Sequence, residues 1–472
     1  MNKFTIIALA AASLAAAGCK DEPSAPPLNA PTVEAVSGAL SRTSLQPLAT
    51  GVLAQDRSAV FGTFTYLTLA GILGRDVYRI DASEPRYVQE TLGLNPDPGS
   101  FAGGGGFAAF YTTIRASTSL IEALPSAPPG EVSDAEKSAT SGFLKTINAL
   151  EYMRLIELRD TVGVPIQSTD ALEVTAVSCK ESVLGYAAAL LDSANTELNS
   201  AGGATKLPFA LPSGFTAHGR NYGIVSNLVL FNRGVKGKVD VLRAINRKAP
   251  NAAAATAAVA ELTQALGGAA PGAVSGATFQ FGPYYHFVAS GSEATANPRA
   301  DTKIGLNPTV KTDILDGDAR ASKIVSRSTI TGGGISTSIT CALCVSTLAN
   351  QEAPVGILRD EELVLLRAQA YIETGNLAAA TADVNSVRTF YGLAPYATFT
   401  SKAAAITAVL YEKRYSLLYE GPQRWVDLRE YGRLNPTFLR KETLTDPFNA
   451  AFPLPRAELN ARNLTDNPAC TP

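Results

Sequence analysis

Three acidic residues stand close together near the C-terminus: Glu412, Glu420 and Asp427. Glycoside hydrolysis needs two carboxylates facing each other across a sugar. Here the acids are interleaved with Lys413, Arg414 and Arg424. Charges mixed in this way on helices form ion pairs and hold helix ends more readily than they do acid/base work. The two histidines, His218 and His286, are far apart in sequence, and there is no Gly-x-Ser-x-Gly nucleophile elbow. Gly103 to Gly106 are four consecutive glycines. A phosphate-cradling loop would continue Gly-Lys-Ser/Thr, and Phe107-Ala108-Ala109 follows instead, so the run reads as a flexible lead-in to a helix over 110–123. Asp313, Asp316 and Asp318 lack EF-hand spacing. Cys341-x2-Cys344 is half of a zinc set with no histidine or second close pair beside it. In an exported chain it reads as a small structural disulfide, with Cys179 and Cys470 left as the remaining pair. No catalytic residue, cofactor or metal is assigned.

Binding without turnover asks for different residues: aromatic faces and a few polar groups. The aromatics on segments without helical periodicity are Tyr87, Phe101, Tyr284 and Tyr285, and these are the ligand-binding candidates. The competing reading of each is that it packs the core. The chain has 472 residues, a formal charge of −2 and 17% charged residues. That size can bury a large core, and the balance of charge argues against a nucleic-acid partner, which needs a basic face. The basic residues Arg233, Lys236, Lys238, Arg243, Arg247 and Lys248 read as a solvated helix face in preference to a phosphate patch.

The N-terminus is a targeting segment. Lys3 precedes an apolar run from Phe4 to Ala17, short for a membrane span, and Ala16-Ala17-Gly18-Cys19 follows. This resembles a bacterial lipoprotein cleavage site, with Cys19 as the lipid-attachment residue; the leucine common three before the cysteine is alanine here. Lys20-Asp21-Glu22 resembles the surface-export signal of Bacteroidetes-type lipoproteins. Pro23 to Pro31 reads as part of a flexible tether.

The remaining elements are mostly helical. Gln46 to Ile80 shows a long apolar helical pattern, and Ser133 to Glu136 resembles a capping box. Periodicity fades from Gly267 to Pro354 and returns at Leu358. There Asp360, Glu361 and Glu362 suit the start of a helix, and Gly375-Asn376 breaks it. Leu377, Ala380, Val384, Val387 and Tyr391 form one face of the next helix, which stops at Gly392. Ala370-Tyr371-x3-Gly375-Asn376-x2-Ala379 is also the middle of a tetratricopeptide pattern.

Taken in order, Thr374-Gly375-Asn376, Asn385, Val387-Arg388, Gly392-Leu393, Glu412-Lys413-Arg414, Leu417, Glu420-Gly421, Arg424, Asp427-Leu428, Arg429 and Gly432 resemble the C-terminal signature of the SusD/RagB family of nutrient-binding outer-membrane lipoproteins. Phe452 to Pro455, Glu458-Leu459 and Asn467-Pro468 resemble the family's ending. Gly142 to Arg159 with Val164-Pro165-Ile166 resembles an earlier family segment, as do an aspartate near the end of the first long helix, before a loop (Asp76), and an Asp-x-Arg (Asp318, Arg320). The resemblance implies a mainly α fold, in which four tetratricopeptide-like helix pairs scaffold an irregular ligand-binding half. On this reading residues 1–18 are the signal peptide and 19–45 the lipidated tether. Residues 46–472 are one domain, with the irregular insertion at about 267–354 and the signature helices at 358–434. It further implies capture of an oligosaccharide or other nutrient at the cell surface, anchoring to the outer membrane by lipid, and delivery to a TonB-dependent transporter of the SusC type. The alternatives are a tetratricopeptide scaffold that binds only proteins and a secreted hydrolase.

Overall fold

The structure, a computed structural model, describes residues 40–472 except 63, 80–83, 85, 87–89, 91–95, 169, 171–172, 289–296, 298–300, 302, 327–329, 334–337, 342–344, 347–351, 440–446, 469 and 471–472. The chain is mainly helical, as expected, with thirteen α-helices among the described residues. Cys19, Tyr87 and Cys344 lie outside the described residues.

The first helix, α1 (Arg42–Val60), starts where Ser41 and Ser44 exchange side-chain and backbone hydrogen bonds. Such a box satisfies two amide donors that a helix start would leave open. This start lies inside the span 19–45 read as tether, and Leu40 before it is already buried. The pattern from Gln46 to Ile80 is divided. Gly62 and Thr65 form a turn, with the Gly62 amide donating to Thr65 Oγ1 at 2.5 Å. The buried α2 (Tyr66–Leu73) and the strand β1 (Val77–Arg79) follow. Apolar residues on every side do not report such a break, because a turn inside the core is as buried as the helices it joins.

The helices that follow are α3 (Ala108–Ala123), α4 (Asp134–Arg159), α5 (Lys180–Ala201), α6 (Val225–Ala244), α7 (Ala252–Ala265) and the short α8 (Pro308–Thr312). Then come α9 (Asp360–Glu373), α10 (Leu377–Phe390), α11 (Lys402–Ser416), α12 (Gln423–Glu430) and α13 (Arg456–Ala461). Ser133 caps α4 with Glu136 answering, and Asn376 caps α10 through the Ala379 amide. Four antiparallel-type pairs can be followed in contact: α1 with α3, α4 with α5, α6 with α7, and α9 with α10. Each pair also touches the next, through α3 on α4, α5 on α6 and α7 on α9. This stacking buries α4 on several sides from Ala139 onward. Beside the pairs lie five two-stranded antiparallel ladders, which are short and irregular. Two of them join distant segments: β1 pairs with β5 (Ile304–Leu306), and β4 (Tyr284–Tyr285) pairs with β10 (Val355–Gly356). Cys179, the residue before α5, is disulfide-bonded to Cys470. Cys341 ends strand β8 (Ser338–Cys341). Among the described residues no helix is long and apolar enough to cross a membrane.

The four-glycine run is packed closely, not loosely. A Cβ on Gly103 would sit 1.7 Å from the Asp97 carbonyl oxygen, and one on Gly105 would sit 2.3 Å from that of Phe64. Small size, in place of flexibility, explains these glycines. Gly392 meets a different demand. It ends the α10 region with φ +85, a conformation costly for a side chain branched at Cβ. Gly392→Val is expected to destabilise by at least about 1 kcal/mol through backbone strain. An unaltered thermal midpoint in this variant would overturn that assignment.

Candidate functional site

The signature charges form a buried lattice. Glu412 on α11 accepts from Arg320 at 2.6 Å and from Arg388 at 2.9 Å. Lys413 meets Asp427 at 2.6 Å and Arg414 meets Asp313 at 2.9 Å. Glu420 receives Arg359 at 2.8 Å, and the same arginine reaches Glu361 at 2.6 Å. Arg424 donates to the Gly74 carbonyl at 2.8 Å and lies 3.6 Å from Asp76. Burial lifts the Asp76 carboxyl to about 6 despite Arg424, and the same burial lowers Arg424 to about 10. The aspartate that follows the first long helical region thus meets the arginine of the C-terminal signature. Asp160 plays a similar part: Lys180 at 2.9 Å, Arg247 and Arg429 surround it, and these cations hold its carboxyl well below the usual range. Every acid of the C-terminal cluster therefore has a cationic partner, which is the chemistry of a scaffold.

The basic residues of α6 are not a solvated face. Arg233, Lys236 and Lys238 are buried. Arg233 pairs with Asp192 and Glu261 at 3.0 Å each, Lys236 with Asp240 at 2.7 Å, and Lys238 with Glu362 at 2.9 Å. Their partners sit mostly on α5, α7 and α9, packed around α6. The sequence of α6 alone does not contain that information.

Of the four aromatic ligand candidates, Phe101 is exposed, at 46%. Its ring stacks on Phe64, with centroids 6.0 Å apart and planes 19° from parallel. The Arg86 guanidinium lies 5.2 Å from the centre of the Phe101 ring, and Arg79 lies 5.9 Å from that of Phe64. Arg79 is in turn held by Asp301 at 3.1 Å, beside the β1–β5 ladder. This is a stacked pair of rings with two arginines beside it, each paired to an acid, Arg79 to Asp301 and Arg86 to Glu84.

Tyr284 and Tyr285 are placed in the interior, at 6% and 5% exposure, in contrast to the expectation that loops leave them free to line a site. The β4–β10 pairing turns them inward. The Tyr285 hydroxyl donates to Asp56 at 2.8 Å and accepts from Arg154 at 2.7 Å, while its ring packs edge-on against Phe61. Burial drives this phenol well above its ordinary range. The Tyr284 hydroxyl donates to Gln280, and its ring is covered by His218. Trp425, read as core, is fully buried and donates to the Asn449 carbonyl at 2.9 Å.

A second concave feature had no signal in the sequence. Between α1, α3 and α13 lies a half-open cavity of about 950 Å³, lined by Leu48, Val52, Phe107, Tyr111, Ala116 and Val174 among others. Its residues lie on one stripe of α1 and one of α3, and a helix stripe facing a cavity looks like a stripe facing the core. Two buried polar atoms at this lining, Gln55 Oε1 and Arg462 Nε, have no hydrogen-bond partner.

Residues 342–464 match the family model described as the SusD family. The whole chain is also similar in fold to solved structures. One is a SusD superfamily protein from Bacteroides vulgatus, at 14% identity and a TM-score of 0.65, covering 92% of this chain and 100% of that one. Another is NanU of B. fragilis, at 14% identity and a TM-score of 0.65, with 95% and 99% covered. A third is a laminarin-binding SusD-like protein, at 16% identity and a TM-score of 0.61, with 89% and 98% covered. No curated protein matches the sequence.

Proposed function

We propose that this chain, whose C-terminal segment matches the SusD family model and whose fold is similar to SusD-like structures, binds a nutrient, most simply an oligosaccharide, without transforming it. It sits at the cell surface, anchored in the outer membrane through acylated Cys19, and hands its ligand to a TonB-dependent transporter of the SusC type. The observation that carries the binding role is the Phe64–Phe101 stack. An exposed ring backed by a second ring covers the apolar face of a pyranose, and Arg86, paired with Glu84, keeps a cation beside the stack. The name of the laminarin-binding neighbour makes β-glucan oligosaccharides the first ligands to try.

Glycan-array binding followed by titration calorimetry tests this. Phe101→Ala is expected to cost about 1 kcal/mol, roughly a fivefold loss of affinity, and the wild type is expected to return the glycan uncleaved. The cavity offers a specific second reading, favoured by its size and by the polar residues Gln55 and Arg462 in its lining. Ala116→Trp would project an indole into it and narrow it. Full affinity in Phe101→Ala together with loss in Ala116→Trp would move the ligand from the stack to the cavity. Steady turnover of the glycan would reject the carrier in favour of a hydrolase, and binding of proteins alone would favour the tetratricopeptide scaffold.

A further inference from the structure

The two histidines of this chain, remote in sequence, meet in space. His218 Nε2 and His286 Nε2 are 2.6 Å apart, with their rings nearly perpendicular at 86°. We propose that they form a site for a divalent transition-metal cation of the zinc, nickel or copper class. Imidazole nitrogen suits these metals, and a chelating pair needs both lone pairs aimed at one point.

Each ring is held in place by a neighbour. Ser213 Oγ lies 2.8 Å from His286 Nδ1. With the serine accepting from Nδ1–H, the tautomer of His286 is set and its Nε2 lone pair faces His218. Orientation of a ligating imidazole through its other nitrogen is the usual support in metal sites. His218 lies over the Tyr284 ring, with centroids 3.9 Å apart and planes 29° from parallel. The segment carrying Ser213 is pressed against β4: a Cβ on Gly214 would sit 1.9 Å from the Tyr284 carbonyl oxygen. Both imidazoles are half-buried, so solvent reaches them.

Without a metal, one Nε2–H donates to the other Nε2, and the pair shares a single proton. Burial and the neighbouring His286 both disfavour a second proton on His218, which keeps its imidazole neutral. A cation takes the place of the shared proton, which moves from His218 Nε2 to Nδ1, so that both imidazoles stay neutral and both Nε2 lone pairs face the metal. Metal–nitrogen bonds of about 2.0–2.1 Å move the two nitrogens apart by a few tenths of an ångström or somewhat more, a shift within reach of side-chain rotation. No cluster of three or more His, Cys, Asp or Glu side chains able to hold a metal occurs among the described residues, so the site rests on these two nitrogens. The nearest fixed cation on the same segment, Arg220, is neutralised by Asp360 at 2.6 Å and 2.8 Å.

The test uses the full-length mature chain without a histidine tag. Zinc chloride and nickel chloride are titrated calorimetrically, with magnesium chloride as the hard-cation control. One equivalent of zinc or nickel is expected to bind, and no magnesium at this site. His218→Phe keeps a ring over Tyr284 and removes the ligand nitrogen; at least a tenfold loss of affinity is expected, with the thermal midpoint retained. Only two imidazole side chains exist, so a nitrogen-correlated NMR spectrum of their rings reports on the site directly. Both signals should shift or broaden with one equivalent of zinc. Absence of zinc and nickel binding would overturn the proposal, as would unchanged affinity in His218→Phe or binding that leaves both imidazole signals in place.

Discussion

Glu412→Ala is expected to destabilise the fold by about 3 kcal/mol or more, which is the cost of leaving a buried charge without its partner. The carboxylate is fully buried and sits between two guanidiniums, those of Arg320 and Arg388. Arg320 is itself fully buried. It is also gripped by Asp318 through Nε at 2.9 Å and Nη2 at 2.7 Å, and it donates to Ser416 Oγ at 3.0 Å. Tyr391, Tyr411 and Tyr415 surround it, with ring centres 4.8, 5.6 and 5.9 Å from the guanidinium carbon. Asp318 can neutralise Arg320 alone; it leaves Arg388 with neutral partners, the Ala394 carbonyl and the Tyr396 hydroxyl. Burial raises the Glu412 carboxyl above its ordinary range, and the two guanidiniums oppose that rise. The site therefore accepts a negative charge because two cations converge on it. Glu412→Gln keeps the shape and one acceptor, and should fall between wild type and Glu412→Ala. Urea unfolding followed by circular dichroism measures this, with the denaturant slope unchanged. A midpoint equal to wild type in the alanine variant would remove Glu412 from the scaffold and reopen a role in chemistry.

That network shows what a single sequence reports well. Glu412, Arg414 and Arg424 stand in a fixed order, and their interleaving with opposite charges points to ion pairing. The structure supplies partners for them from elsewhere, among them Arg320, Asp313 and Asp76. The helix starts at Ser133 and Asn376 were legible for the same reason, since a cap is decided within a few residues. Properties that depend on what lies opposite were not. Lys236 and Lys238 look solvated until α5, α7 and α9 bring acids to them or close the space around them. Tyr285 looks like a loop aromatic until β10 pairs with β4 across some seventy residues of chain and turns it toward Asp56. The approach of His218 to His286 has the same origin. So has the cavity, because the residues of α1 and α3 that line it carry ordinary core periodicity. The exposure of Phe101 on the ring of Phe64 agrees with its place in a Gly- and Pro-rich stretch, where a large aromatic has few places to pack.

Removing the Cys179–Cys470 bridge is expected to have an effect of comparable size. The bond ties the start of α5 to the end of the chain across 291 residues. In the chain-entropy account, a cross-link closing a loop that long restricts the unfolded ensemble by up to about 5 kcal/mol. The native side of the comparison changes less, because other bonds hold the C-terminal segment. The Phe452 amide donates to the Leu158 carbonyl at 2.9 Å, the Leu454 amide to Asn467 at 2.8 Å, and the Arg456 amide to the Pro98 carbonyl at 2.9 Å. Phe452 also packs on Trp425, with ring centres 5.8 Å apart. The double variant Cys179→Ser/Cys470→Ser should therefore keep its helical spectrum and melt several degrees lower. Reductant should bring the wild type down to the midpoint of the reduced variant. The response of the variant to reductant then reports on the other pair. A further fall identifies a second stabilising bridge, as expected for Cys341 with Cys344, whereas an unchanged midpoint leaves those two cysteines outside the stability of the fold. A wild type whose midpoint ignores reductant while its thiol count rises by two would show that the segment is held by its packing, with the bridge contributing nothing measurable.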